Sequence, residues 1–288
     1  MLDRKYALGW IAITLIAAGC ADAVPAAAES APLPGGTPQT RGRVERDVPY
    51  VPTPEPIVRR MLDMARVTSD DLVYDLGSGD GRIVIAAARE RGARGVGIDI
   101  DPERIREAIE NAERAGVSHK VRFIEGDLFD ADLRPATAVT LYLLTSVNLR
   151  LRPKLLEELR PGTPVVSHDF AMGEWEPDEH VESDRSEVFL WIVPAKVEGT
   201  WRWDPGNGRR RSVTIRQSFQ KIEGTAGGVS PLRDAVIRGE EIAFTIVEIV
   251  DGRAVAHRYQ GRVNGNAIEG VVRIDGGATR RWTARRES

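Results

Sequence analysis

Cysteine is almost missing from this chain. One residue in 288, Cys20, is a cysteine, so no intrachain disulfide can form and no cysteine cluster can hold a metal. Histidine is scarce as well. His119, His168, His180 and His257 are scattered without metal-ligand spacing, and no metal is expected. Neither sign of charge dominates: 40 Lys and Arg face 43 Asp and Glu, for a net charge of −3. That balance argues against a general nucleic-acid binder, and no nucleic-acid partner is expected. A long hydrophobic run is lacking too. The apolar stretch at residues 6–19 is too short for a comfortable membrane span. What remains is a globular composition, 42% hydrophobic and 29% charged, with length for one large domain or two smaller ones.

Residues 72–101, LVYDLGSGDGRIVIAAARERGARGVGIDID, organise the rest. Residues 72–76 are a short apolar run and read as a buried parallel strand. A tight glycine turn follows, from Asp75 to Gly81. Residues 83–88 read as a helix start, and residues 95–100 as a second strand carrying Asp99 at its end. Strand, glycine loop, helix, strand and terminal acid is the layout of a nucleotide-binding crossover. A dinucleotide fingerprint would space its glycines G-x-G-x-x-G and aim a helix N-terminus at a pyrophosphate. Here the spacing is G-x-G-x-G, with Asp80 inside the loop and Asp75 before it. Two carboxylates would repel a pyrophosphate. They suit a ligand with positive groups and no phosphate, such as S-adenosylmethionine with its ammonium and sulfonium. Asp99 stands where an acid can accept hydrogen bonds from both ribose hydroxyls.

The pattern D-x-G-x-G-x-G with an acid closing the next strand resembles motif I and its partner in class I S-adenosylmethionine-dependent methyltransferases. The resemblance implies an α/β fold with a Rossmann-like seven-strand sheet. It also implies S-adenosylmethionine as cofactor, held around Asp75, Gly77, Ser78, Gly79, Asp80, Asp99 and Ile100. A narrower likeness adds to it. Y-V-P-T-P at residues 50–54, then a helix, then D-L-G-S-G-D-G-R-I-V at 75–84, resembles one subgroup. Those are the protein-lysine methyltransferases that modify the ATP synthase c-ring protein and the adenine nucleotide carrier. The likeness runs from about Val48 to Val193. It implies that Pro52 and Thr53 lie near the methionine end of the cofactor. It implies further that Asp127 binds the adenine amino group and that Leu128 flanks the ring.

The N-terminus is read apart from the fold. Arg4 and Lys5 form a positive start, the apolar run follows, and Ala17-Ala18-Gly19-Cys20 resembles a lipoprotein signal box, with Ala17 where leucine is usual. Ala21-Asp22-Ala23 offers an ordinary small-residue cleavage site instead. Residues 1–23 are expected to be a signal peptide, and 24–46, rich in Ala, Pro and Gly, a disordered linker. An exported, periplasmic or membrane-tethered protein follows, with membrane association through the signal or a lipid. A downstream start would make it cytoplasmic instead.

Residues 47–194 are expected to form the methyltransferase domain. After an amphipathic helix at 55–65 and the crossover, Asp101 caps a helix at 102–115, with proline at its first position. Strands are expected at 121–125, 137–143, 165–167 and 187–193, and a helix at 149–159. The fourth strand ends in Tyr142-Leu143-Leu144-Thr145, not in N-P-P-Y or D-P-P-Y. Enzymes acting on planar amide or base nitrogens often carry that tetrapeptide, so its lack argues against DNA-base and glutamine methylation. His168 and Asp169 are candidates for deprotonating an acceptor amine, whose reference pKa is about 10.4, or else shape the loop after the strand. Tyr142 and Trp175 are candidates for an acceptor channel, or else plain packing.

From about Ala195 helical periodicity stops. Alternating runs such as Val213-Ile215-Gln217-Phe219 and Ile268-Gly270-Val272-Ile274 are separated by glycine turns. Residues 195–288 therefore read as a small antiparallel β barrel or sandwich of roughly six strands or more. The leading reading is a methyltransferase acting on a protein amine, with a small-molecule acceptor as alternative. A competing class is a non-catalytic envelope binding protein that retains only a Rossmann-like core. The complete glycine loop and Asp99 speak against such decay.

Overall fold

A computed structural model describes residues 50–183, 186–205, 210–277 and 279–287. The expected signal segment and linker, residues 1–46, lie outside the described residues.

The first sheet has seven strands: β1 (Leu72–Leu76), β2 (Arg94–Asp99), β3 (Val121–Glu125), β4 (Ala138–Leu141), β5 (Pro164–His168), β6 (Glu179–Ser183) and β7 (Ser186–Ile192). Their order is β3-β2-β1-β4-β5-β7-β6. Strands β1 to β5 pair in parallel, and β7 runs antiparallel between β5 and β6. All five residues of β1 are buried, as a central strand covered on both faces must be. Four helices accompany the sheet: α1 (Glu55–Met64), α2 (Arg82–Ala86, prolonged by a π-helical turn over Ala87–Arg91), α3 (Pro102–Arg114) and α4 (Thr145–Glu158). Helix α1 buries Val58, Met61 and Leu62 against β5 and β7. At the start of α3 the Asp101 carboxylate accepts the N–H of Glu103 at 3.0 Å, and Gly116 leaves the helix at φ 71°.

One expectation for this half needs correction. Helix α4 starts at Thr145 rather than 149, burying Val147 and Asn148 in its first turns. Strand β6 supplies the seventh strand of the expected sheet, at a place outside the expected strand ranges. It is an edge strand with four of five residues exposed, so no apolar run announces it.

The remaining strands are β8 (Gly199–Trp203), β9 (Arg211–Ser218), β10 (Lys221–Ala226), the two-residue β11 (Ser230–Pro231), β12 (Arg233–Arg238), β13 (Glu241–Val250), β14 (Arg253–Asn264), β15 (Ala267–Ile274) and β16 (Arg280–Arg286). Every pairing is antiparallel. Of the two architectures left open by sequence, this is the barrel. Eight strands run β9-β10-β12-β13-β14-β15-β16-β8, and β8 pairs back onto β9 to close the ring. Closure leaves the long strands no open edge. The interior is filled with rings. Trp282 meets Phe244 and Tyr259 edge-on, at centroid distances of 5.8 and 4.9 Å.

Gly261 and Gly270 face each other across β14 and β15. A side chain on Gly270 would collide with the backbone carbonyl of Gln260, and backbone cannot swing aside. Gly270→Ala should therefore cost about 1–3 kcal/mol of barrel stability. Urea unfolding followed by tryptophan fluorescence will show the loss.

Candidate active site

The strand order reverses between β1 and β4, which opens a crevice at the carboxyl ends of the strands. A cavity of about 440 Å³ lies there, a size that suits a small-molecule cofactor. Pro52, Thr53, Asp75, Gly77, Ser78, Gly79, Asp80, Asp99, Ile100, Asp127 and Leu128 all line it, together with Tyr142.

The turn between β1 and α2 forms one wall. Gly77, Gly79 and Gly81 have φ of 78°, 52° and 78°, a region open to glycine at little cost. The N–H groups of Gly77 and Ser78 donate to the Ile98 carbonyl at 2.8 and 2.9 Å. Gly79 donates its N–H to the Asp99 carboxylate at 2.8 Å, and Asp101 donates to the other oxygen at 2.9 Å. Asp99 is thus held by two backbone donors at the rim.

Asp75 is buried at 2% exposure. Burial pushes its carboxyl up to about 7, neighbouring Asp99 and Asp80 add to the rise, and the Thr140 hydroxyl, donating at 2.7 Å, opposes it. Asp80 goes the other way. Burial works against its charge, but the hydrogen bonds and charge of Arg82 prevail and hold it below the usual carboxylate range. Arg82 grips Asp80 with Nε at 2.9 Å and Nη2 at 2.6 Å, and its Nη1 donates to the Thr53 carbonyl at 2.9 Å. One guanidinium therefore ties the proline-rich lead-in to the glycine turn. Tyr50 lies over Gly79, with the Arg104 guanidinium 4.8 Å from its ring centre. Asp127 accepts the N–H of Phe129 at 2.9 Å and so also stabilises its own turn.

Three candidates lie outside the cavity lining. His168 is 1% exposed and covered by Tyr142, ring centroids 3.9 Å apart. Its Nδ1 meets the Thr53 hydroxyl at 3.2 Å, and its Nε2 meets Ser186 at 3.2 Å and Asp169 at 3.3 Å. Burial lowers its pKa and Asp169 opposes this. A neutral ring carrying its proton on Nε2 satisfies all three partners. His168 pegs Thr53 in place, and the expectation that it reaches an acceptor proton is corrected. Asp169 is half-buried beside the cavity, 3.5 Å from the Tyr142 hydroxyl, and accepts the N–H of Glu187 at 2.8 Å. Trp175 is wholly buried between Trp191 and Phe219, so it lines no acceptor channel. Sequence reading did not single out Arg82, Arg104 or Phe129, which the cavity includes. Tyr50 of the Y-V-P-T-P segment lines the cavity too.

Comparison with known proteins agrees with this geometry. Residues 75–179 match the model of the ANTKMT methyltransferase domain. A protein-lysine N-methyltransferase of Saccharolobus islandicus is 49% identical over 151 residues, covering 51% of this chain and 94% of that protein. An adenine nucleotide translocase lysine N-methyltransferase of Mus musculus is 36% identical over 146 residues, 51% of this chain and 63% of its own length. Among solved structures, an RNA methyltransferase from Salinibacter ruber in complex with S-adenosylhomocysteine is 59% identical. It covers 51% of this chain and 96% of that one, with a TM-score of 0.51.

The chain belongs to the ANTKMT methyltransferase family. It is an S-adenosylmethionine-dependent methyltransferase. The residues fit that cofactor on the structure's own terms. Ser78 Oγ is buried without a hydrogen-bond partner, and carboxylates rather than free guanidinium groups face the cavity. Both arginines there are engaged, Arg82 by Asp80 and Arg104 by Glu107.

A cationic cofactor favours the ionised form of Asp75. Without ligand, Asp75 holds a proton up to a pH of about 7, so folding takes up a proton and stability falls as pH rises from the unfolded carboxylate value toward 7. Binding of the cation runs with the opposite sign. Calorimetry should show S-adenosylmethionine affinity rising as pH passes upward through about 7. Asp75→Asn should weaken binding and remove that part of the pH dependence. In the same titrations Asp99→Ala should lose about tenfold or more in affinity, because it removes a charged acceptor.

Proposed function

We propose that this methyltransferase transfers the methyl group to a lysine amine of a protein. The observation that carries the reading is the pairing of an aromatic face and a carboxylate beside the cavity. Tyr142 lines it at the end of β4, and Asp169, at the end of β5, stands 3.5 Å from the Tyr142 hydroxyl. Such a pair attracts an ammonium group. The names of the Saccharolobus islandicus and Mus musculus relatives support a lysine acceptor.

The roles rest on the cavity lining and on the family resemblance. Asp99 would accept the ribose hydroxyls, Asp127 the adenine amino group, and Ile100 and Leu128 would flank the base. Asp75, Ser78 and Thr53 would take the methionine end. When bound, S-adenosylmethionine supplies a methyl group on a positively charged sulfur. A lysine must arrive neutral to attack in line, and a dehydrated site next to a fixed positive charge lowers its proton affinity. Asp169, the candidate for receiving that proton, lies beside the Tyr142 hydroxyl. The chain's main contribution is alignment and exclusion of water.

The test is incubation of the full chain with methyl-labelled cofactor, a protein extract that includes membranes, total RNA and small metabolites. Label recovered as methyl-lysine from protein is the expected result. Ribonuclease-sensitive label would replace the reading with an RNA acceptor, as the description of the Salinibacter ruber structure names. Label confined to small molecules would replace it with a small-molecule acceptor.

We also infer, from residues 1–23 alone, export and tethering through Cys20. Cell fractionation should find wild type on membranes and Cys20→Ala released. Full-length cytosolic protein retaining Met1 would overturn this.

A further inference from the structure

We propose that the barrel braces the loop beside the acceptor side of the site, and that Phe219 is the positioning residue through which it does so. The inference rests on the reading above, in which the acceptor enters past Tyr142 and Asp169.

The loop joins β5 to β6 and starts at Asp169. Asp169 has φ 61°, a left-handed conformation that a non-glycine residue keeps only when its surroundings impose it. Phe170 follows, its ring 5.9 Å from Tyr142. Two residues further the chain meets the barrel. The Met172 carbonyl accepts Arg152 Nη1 at 2.9 Å, and the same guanidinium lies 5.1 Å from the centre of the Phe219 ring. Trp175 stacks on Phe219 with centroids 6.1 Å apart and planes at 16°. The Trp175 carbonyl accepts Trp191 Nε1 at 2.7 Å. Lys221 pairs with Glu176 at 2.5 Å. Arg152 and Trp175 thus hold the loop and the barrel hairpin as one packed cluster.

The hairpin is itself built for this contact. Phe219 sits at its tip, between β9 and β10, with φ 55°. Gln217 locks it from behind. Its side-chain amide donates to the carbonyls of Phe219 and Ala195 at 2.8 and 2.9 Å and accepts the N–H of Val197 at 2.6 Å. A strained ring-bearing tip and a half-buried amide clamp are more than a passive linker needs.

The catalytic unit does not need a barrel to exist. The Saccharolobus islandicus relative is matched over 94% of its length by 151 residues, so this chain carries a large addition to a complete unit. That addition grips the loop beside Tyr142 and Asp169. Its residues do not line the cofactor cavity. Its effect should therefore fall on acceptor binding and leave cofactor binding alone.

The experiment uses the full chain, with poly-L-lysine as methyl acceptor and S-adenosylhomocysteine for binding. Phe219→Ala should raise KM for poly-L-lysine about tenfold while changing kcat little, the pattern of lost uniform binding. Its Kd for S-adenosylhomocysteine should stay within about twofold of wild type, because the affected contacts lie outside the cofactor cavity. Phe219→Tyr, which keeps the ring, should restore KM. Amide exchange in residues 169–176 should quicken in Phe219→Ala, with residues 77–81 unchanged. Unchanged KM and unchanged exchange would overturn the brace, and so would an equal loss of cofactor affinity. Should wild type leave poly-L-lysine unmethylated, the lysine reading fails by itself, and the exchange comparison alone decides the brace. Should Phe219→Ala not fold, the exposed Lys221→Glu, which sets like charge against Glu176, takes its place with the same expected and overturning results.

Discussion

Three backbone N–H groups in the turn between β1 and α2 reach across to β2, two to the Ile98 carbonyl and one to the Asp99 carboxylate. The rest of the first sheet is arranged around that closure. It needs left-handed backbone at alternate positions, which is why glycine occupies 77, 79 and 81. It also needs α2 to ride close on β2. A side chain at Gly95 would stand 2.6 Å from Val84 Cβ, and one at Gly97 would stand 2.7 Å from Ser78 Oγ. The turn thus fixes the start of α2, the direction of Asp99 and the wall of the cavity together. A change in any of the three propagates to the other two.

Gathering Asp75, Asp80 and Asp99 at one crevice carries an electrostatic penalty, and each acid is tolerated differently. Asp80 is neutralised by a two-pronged guanidinium. Asp99 is solvated by two backbone donors. Asp75 has a single hydroxyl partner in full burial, and it stays partly protonated near neutral pH. The protein alone therefore leaves one charge uncompensated, and a positively charged ligand completes the set. This is the physical sense in which the site is built for a cation-bearing cofactor. A pyrophosphate would meet the same carboxylates as repulsion.

Much of this was legible because local chemistry dictates it. Glycine spacing, the strand-ending acid, and the Asp101-Pro102 cap act within a few residues of themselves. The less legible parts depend on distance or depth. Alternation in residues 195–288 gave each strand a buried face, but closure is decided by β8 pairing with both β9 and β16. Edge strand β6 carries Glu179, His180 and Glu182 and shows no apolar signal. His168 has the side chain of a general base, and only its depth beneath Tyr142 shows that it pegs Thr53. Trp175 could have lined a channel or a seam, and the ring that decides the matter, Phe219, is 44 positions away in sequence. Arg211, beside a turn rich in arginine in the sequence, pairs with Glu248 at 2.8 Å and reaches the Tyr259 hydroxyl at 3.3 Å.

That last pairing bears on what the barrel is for. Small barrels that carry ligands keep a hollow interior. Here Trp203, Phe244, Tyr259 and Trp282 occupy the interior in mutual contact. One mouth is drawn together by Arg211, Glu248 and His257, the last held neutral by burial against the pull of Glu248. The opposite end, with the hairpin tips at Phe219 and Gly239, rests on the first sheet, where Gly239 accepts the N–H of Ala195 at 2.7 Å and Arg238 pairs with Glu179 at 3.1 Å. A filled core, a mouth closed on itself and a base seated beside the β5–β6 loop leave the outer surface of the barrel as its means of action. The part of that surface with a defined partner is the part that meets the loop.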